Sequence, residues 1–156
     1  MAFTILDDYR TEVCAPEDYA GGTTGARGDN DGALDPYKLF IVTGEVKVIV
    51  YGVCTTSLAG ASATLEVGIT GNTALILPQI TATTIIANDV WVDNSVAEVG
   101  GFVATALPVA THITNGNDII ETVATADVTS GRMYYVCLWI PISKDGNVKA
   151  TKPRMD

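Results

Sequence analysis

The sequence predicts an all-β fold, a jelly-roll-like β-sandwich or barrel of about eight strands with an extended N-terminal arm. Three observations carry this reading. β-Branched residues recur along most of the chain, no apolar pattern sustains a 3.6-residue period, and turn signals divide the sequence at short intervals. The connections are irregular in length rather than uniform hairpins, which favours a sandwich with crossing connections over an up-and-down barrel.

Taken in order, residues 1–36 read as an N-terminal arm or loop. FTILDDYRTEV forms one short strand or lies against a neighbour. APEDYAGGTTGARGDNDGALDP is dense in Gly, Asp, Thr and Pro and has no hydrophobic period, the texture of a long loop. Residues 37–148 read as the β domain. KLFIVTGEVKVIVYGVC divides at Thr43-Gly44 into two strands; in the second, Val46, Val48, Val50 and Gly52 alternate with Lys47, Ile49, Tyr51 and Val53. Both sets are largely apolar, so this strand is central.

SLAGASA reads as a small-residue connection and ATLEVGIT as the next strand. Gly71-Asn72 turns the chain into ALILPQITATTIIA, one interrupted strand or two short ones, with Pro78 belonging at an edge or bulge. Asn88-Asp89 turns into VWVD. Residues 93–111 fit either a short helix or a packed loop. After Asn115-Gly116, DIIETVAT and RMYYVCLWIPI complete the strands, and SKDGNV is the exit turn. In the last strand Met133, Tyr135, Cys137 and Trp139 share one side and Tyr134, Val136, Leu138 and Ile140 the other, so it is covered on both. Residues 149–156, with Lys149, Lys152 and Arg154, read as a solvated C-terminal tail.

Composition narrows the function. The 156 residues are 47% hydrophobic and 17% charged, against roughly a quarter charged in ordinary soluble domains. Such a chain hides apolar surface, and a subunit interface is the usual place. A formal charge of −9 argues against nucleic acid as partner, since phosphates are neutralised by Lys and Arg. No run reaches the ~18 apolar residues of a membrane helix. The N-terminus lacks the basic and apolar regions of a signal peptide. Cys14, Cys54 and Cys137 are three and widely spaced, which excludes a simple disulfide framework. Cys54 and Cys137, within apolar strand-like runs, read as small buried hydrophobes in a chain made in a reducing cytoplasm.

No catalytic or metal constellation emerges, and no cofactor is expected. The single histidine, His112, has no nucleophile motif beside it and reads as a surface residue. Asp29–Gly32 (DNDG) resembles the start of a calcium loop without its closing Glu, and reads as a plain turn. Arg27-Gly28-Asp29 is a tripeptide that chance supplies. Trp91 and Trp139 would matter to a sugar-binding surface only if exposed; their strand patterns place them in a core or interface.

Two stretches carry a family likeness. LFIVTGEVKVIVYGVCTTSLAGASATLEVGITGNTALIL shows a VTG-strand-GVCT start and a TLEVG-turn-NTA hairpin, and ITNGNDIIETVATADVTSGRMYYVCLWIPISKDGNV closes with NG-x-DI and W-x-P. Over residues 38–148 the chain resembles small structural proteins of tailed-bacteriophage virions, in particular capsid decoration (cement) proteins. That resemblance implies a non-enzymatic oligomer, a trimer above all, which sits on the outer capsid surface and bridges major capsid subunits with a terminal arm. Phe3, Ile5, Leu6, Tyr9 and Val13 are then the apolar anchors of the arm. The competing reading is a tail- or fibre-associated module that binds host glycan.

Overall fold

The structure, a computed structural model, describes residues 8–92, 96–97 and 109–154. Two antiparallel sheets face each other. The larger, seven-stranded sheet holds β1 (Arg10–Val13), β2 (Glu17–Asp18), β4 (Val46–Ala59), β7 (Val90–Trp91), β8 (Val96–Ala97), β9 (Thr111–Ile113) and β11 (Ser130–Pro141). The five-stranded sheet has the order β12 (Asn147–Ala150), β3 (Tyr37–Thr43), β10 (Ile119–Ala124), β5 (Thr64–Ile69), β6 (Asn72–Thr81). The sheets stay separate, so the architecture is a sandwich and not a closed barrel. The chain passes from one sheet to the other at β2–β3, β3–β4, β4–β5, β6–β7, β9–β10, β10–β11 and β11–β12. Irregular connections in the sequence are the trace of these crossings.

The pairing of β4 with β11 is the spine of the larger sheet, running from Ser130 opposite Ala59 to Pro141 opposite Val46. Alternation decides which side chains meet the core. Val46, Val48, Val50 and Cys54 of β4 are buried with Met133, Tyr135, Cys137 and Trp139 of β11. Leu39, Phe40 and Val42 of β3, Leu65 and Val67 of β5, and Ile119 and Val123 of β10 enclose them from the opposite sheet. Trp91 is fully buried and meets Tyr135 edge-on, with ring centroids 6.3 Å apart.

The predicted turns fall where the sequence places them. Gly44, Gly71, Asn88, Asn115 and Gly116 all adopt positive φ. β4 is longer than expected: Ser57, Leu58 and Ala59 belong to the strand, and the connection shrinks to residues 60–63. Pro78 lies inside β6, at the sheet edge, where no ladder hydrogen bond is lost. The register of β6 slips twice against β5, and such bulges blunt an edge that would otherwise recruit further strands. The opposite side is closed. Cys14 bridges Pro153 between the sheets, Ala15 N–H donates to Lys152 O at 2.7 Å, and Arg154 N–H donates to Val13 O at 3.2 Å. Of residues 93–111, Val96 and Ala97 form β8 and Thr111 begins β9; the rest of the stretch, apart from residues 109–110, lies outside the described residues.

Both ends of the domain need correction. The described part of the N-terminal segment is not an extended arm: β1 and β2 pair with β11, and residues 19–36 fold back in successive tight turns onto the sandwich. The tail assigned to 149–156 begins inside β12, and Thr151 donates its hydroxyl to Leu39 O at 2.9 Å. Neither segment has the apolar alternation by which strands announce themselves, because backbone and ionic contacts do the docking.

Gly131 sits at the irregular end of the β4–β11 pairing with φ 113°, where an added Cβ would lie 2.6 Å from Leu58 Cδ2 and 2.7 Å from Ser57 O. Gly22 has open space around it. Gly131→Ala therefore lowers stability by about 2 kcal/mol or more, and Gly22→Ala changes it by less than about 0.5 kcal/mol. Urea unfolding of both variants checks the contrast.

Candidate functional site

On β10, Ile119, Glu121 and Val123 share a parity, so a carboxylate lands among core side chains with no exposure. An unpaired charge there is prohibitively costly, and the fold supplies partners from three directions. Arg27, from the folded-back turns, donates Nε–H to Glu121 Oε1 at 3.0 Å and Nη2–H to Oε2 at 2.8 Å. Tyr19 from the same segment donates its hydroxyl to Oε2 at 2.6 Å, and Tyr135 from β11 does so at 2.5 Å. The guanidinium lies between rings, 4.3 Å from the Tyr19 centroid and 4.7 Å from that of Tyr37.

Electrostatics fix the protonation states. Burial and the Glu121 charge push both Tyr19 and Tyr135 well above the ordinary phenol range, so they remain donors. Burial alone would weaken the charge on Arg27, but Glu121 outweighs it and holds the guanidinium firmly protonated. Glu121 Oε2 accepts three hydrogen bonds and Oε1 one. The carboxylate is engaged on both oxygens and has no exposure to solvent. The cluster holds segments distant in sequence together.

Nearer the surface a second layer continues it. Glu17 on β2 accepts hydrogen bonds from the Tyr37 hydroxyl and the Lys152 ammonium. Burial raises the Glu17 carboxyl, yet these two bonds prevail and hold it below its ordinary value. Its hydrogen bond to Glu17 raises Lys152. Pro16, Glu17, Asp18, Arg27, Leu34, Tyr37, Arg132 and Lys152 line an open depression of about 380 Å³ above the cluster.

The residues singled out from sequence fare differently. Phe3, Ile5 and Leu6 lie outside the described residues. Tyr9 is half-buried just before β1, and Val13 is half-buried in β1 opposite Val136. They do not converge on the cluster. His112 is 51% exposed with Nε2 3.6 Å from Glu45, and no nucleophile faces it. Asp29 closes a turn by accepting Gly25 N–H at 2.6 Å, and no group of metal-ligating side chains occurs among the described residues. Arg27 is only 6% exposed, so the Arg-Gly-Asp tripeptide is not displayed. Trp91 and Trp139 are buried and offer no ring face for a sugar. All three cysteines are free and buried; burial pushes the Cys14 thiol up to about 12 and Cys54 to about 11, which leaves them inert.

The cluster itself escaped sequence reasoning. Its only signal was the parity of Glu121 within an otherwise apolar strand, a charge that demands a distant cation. Comparison with protein-family models, with curated proteins and with solved structures finds no match to this chain.

Two outcomes follow. Glu121→Leu alone strands Arg27 in the core and costs about 3–5 kcal/mol; the double variant Glu121→Leu/Arg27→Met recovers much of that loss, measured by urea unfolding. For Glu17 and Lys152 the pH signs are opposite. A lowered carboxyl gives stability above its unfolded pKa of 4.5 that is lost as pH falls through the folded value. A raised ammonium gives stability below its unfolded pKa of 10.5 that is lost as pH rises through the folded value. The exposed pair is therefore worth at most about 1 kcal/mol between those limits. Lys152→Met removes it at pH 7, and the difference from wild type closes on acidification below pH 4.5.

Proposed function

We propose that this chain is a structural virion protein of a tailed bacteriophage, an oligomeric capsid decoration or cement protein, with a trimer as the favoured assembly. It is made in the bacterial cytoplasm and mounted on the outer capsid surface, where it bridges major capsid subunits. The resemblance of residues 38–148 supplies the family. The observation that supports the role is the unlike character of the two outward sheet sides.

On the larger sheet Ile49, Tyr51 and Val53 of β4 stand opposite Leu138, Val136 and Tyr134 of β11, and Val13 of β1 continues the row. Ile49 and Val136 are buried within the chain itself, the others are half-buried, and the same row of β4 begins at the exposed Lys47. The smaller sheet turns Lys38, Glu66, Gln79 and Lys149 outward, with Lys38 paired to Asp118 at 2.7 Å. An antiparallel sheet bounded by water is ordinarily polar on its outer side; the smaller sheet follows this in part, with Ile41 and Leu75 exposed beside its charged residues. The half-buried, uncharged middle of the β4–β11 row suits contact with other protein. Contact area across capsid subunits raises the cost of separating them, which is all a cement protein must do.

Glycan recognition is less well supported, because both tryptophans are turned into the core. Mixing the purified protein with phage capsids that lack it tests the proposal. Saturable binding at stoichiometric sites, with a raised shell dissociation temperature, is expected. Indifference to capsids combined with saturable binding to host-envelope glycans overturns it.

A further inference from the structure

Arg27 carries more donors than its structural duties use. Nε and Nη2 serve Glu121, and Nη2 also reaches the Tyr19 hydroxyl at 3.1 Å. Nη1 makes no hydrogen bond to a described residue; its nearest carboxylate oxygen, Glu17 Oε2, is 4.0 Å away. That nitrogen belongs to a residue that lines the surface depression, although the side chain as a whole is only 6% exposed. The guanidinium cannot turn away, since Glu121 holds it from behind and the Tyr19 and Tyr37 rings hold its faces.

Two further cations stand on the rim with donors to spare. Lys152, 60% exposed, is engaged by Glu17 and Tyr37 and keeps one further N–H for a ligand. Arg132, 47% exposed, reaches Pro16 O at 3.3 Å and meets the 73% exposed Asp18 only at 3.8 Å, a contact that solvent screens. Of the acceptors nearby, Glu17 takes Tyr37 and Lys152, and Glu121 is engaged on both oxygens behind the guanidinium. Free donors thus converge from a rigid, buried cation and two mobile ones, which is the arrangement that recognises a planar or tetrahedral oxoanion.

We propose that the depression above Arg27 is a binding site for a small carboxylate or phosphate group, received by Arg27 Nη1 with Lys152 and Arg132 closing on it. This inference is independent of the capsid reading, because it concerns the opposite use of the Arg27 side chain and no partner protein enters it. The nearby Glu17 and Asp18 charges keep the affinity in the millimolar range, and they favour a singly charged group.

The test uses the full-length protein at pH 7 and constant ionic strength, titrated separately with inorganic phosphate, acetate and glucuronate. Chemical shifts of the Arg27 Nε–H and of the Asp18, Arg27 and Tyr37 amides report occupancy, with sodium chloride as the reference salt. Saturable shifts with phosphate alone identify an inorganic or ester phosphate as the ligand type; saturable shifts with acetate and glucuronate identify a carboxylate, and tighter binding of glucuronate points to an acidic sugar. In each of these cases Lys152→Met and Arg132→Met, both at exposed positions that leave the core intact, weaken binding at least about fivefold each. Linear drift with all three anions, identical to that with chloride, overturns the site. So does saturable binding that both variants leave unchanged.

Discussion

A single buried carboxylate organises this protein. Glu121 occupies an inward position on the central strand of the smaller sheet, where hydrocarbon surrounds it on every side but one. The fold can tolerate it only by bringing a cation and hydroxyls to it, and the cation available is Arg27, 94 residues away in sequence. That requirement turns a glycine-rich leader into part of the body. Residues 19–36 must approach β10 and β11 closely, and they do so on glycines: a Cβ at Gly21 would lie 2.2 Å from Gly28 O, and one at Gly28 2.4 Å from Val128 O. Gly21 N–H donates to Val128 O, and Val128 N–H donates to Gly28 O, each at 2.9 Å. Glycine density that looks like looseness is what permits this fit.

The same pairing contributes specificity more than net stability. Desolvating Arg27 and Glu121 costs several kcal/mol in general, and their mutual attraction offsets it only with additional hydrogen bonds, which Tyr19 and Tyr135 supply here. An apolar pair of similar volume would hold the sandwich as well. It would not fix the turns of 19–36 in one place, nor place Glu17 beside Lys152 and so tie the C-terminal residues to β2. The ends of the chain are thereby joined on one flank of the sandwich, and the bulged, proline-bearing β6 guards the other. With both flanks managed, the β4–β11 spine carries a half-buried apolar row on its outer side.

Sequence alone determined the fold class and the long strands, because alternation and turn chemistry are local; the short β2, β8, β9 and β12, which raise the expected eight or so strands to twelve among the described residues, carry no such pattern. Val46–Val50 and Met133–Trp139 display their inward rows in the order of the residues, and Gly44, Gly71 and Asn115-Gly116 need positive φ wherever the chain goes. The burial of Trp91, Trp139, Cys54 and Cys137 was legible for the same reason. Tertiary structure decided the rest. That Arg27 is core and not display, that Tyr19 and Tyr135 meet on one carboxylate oxygen, and that residues 10–36 and 151–154 belong to the sandwich all depend on groups far apart in sequence. Apolar burial leaves a periodic imprint on neighbouring residues. An ion pair leaves none, since its energy depends on the distance between two side chains and that distance exists only once the sheets have closed.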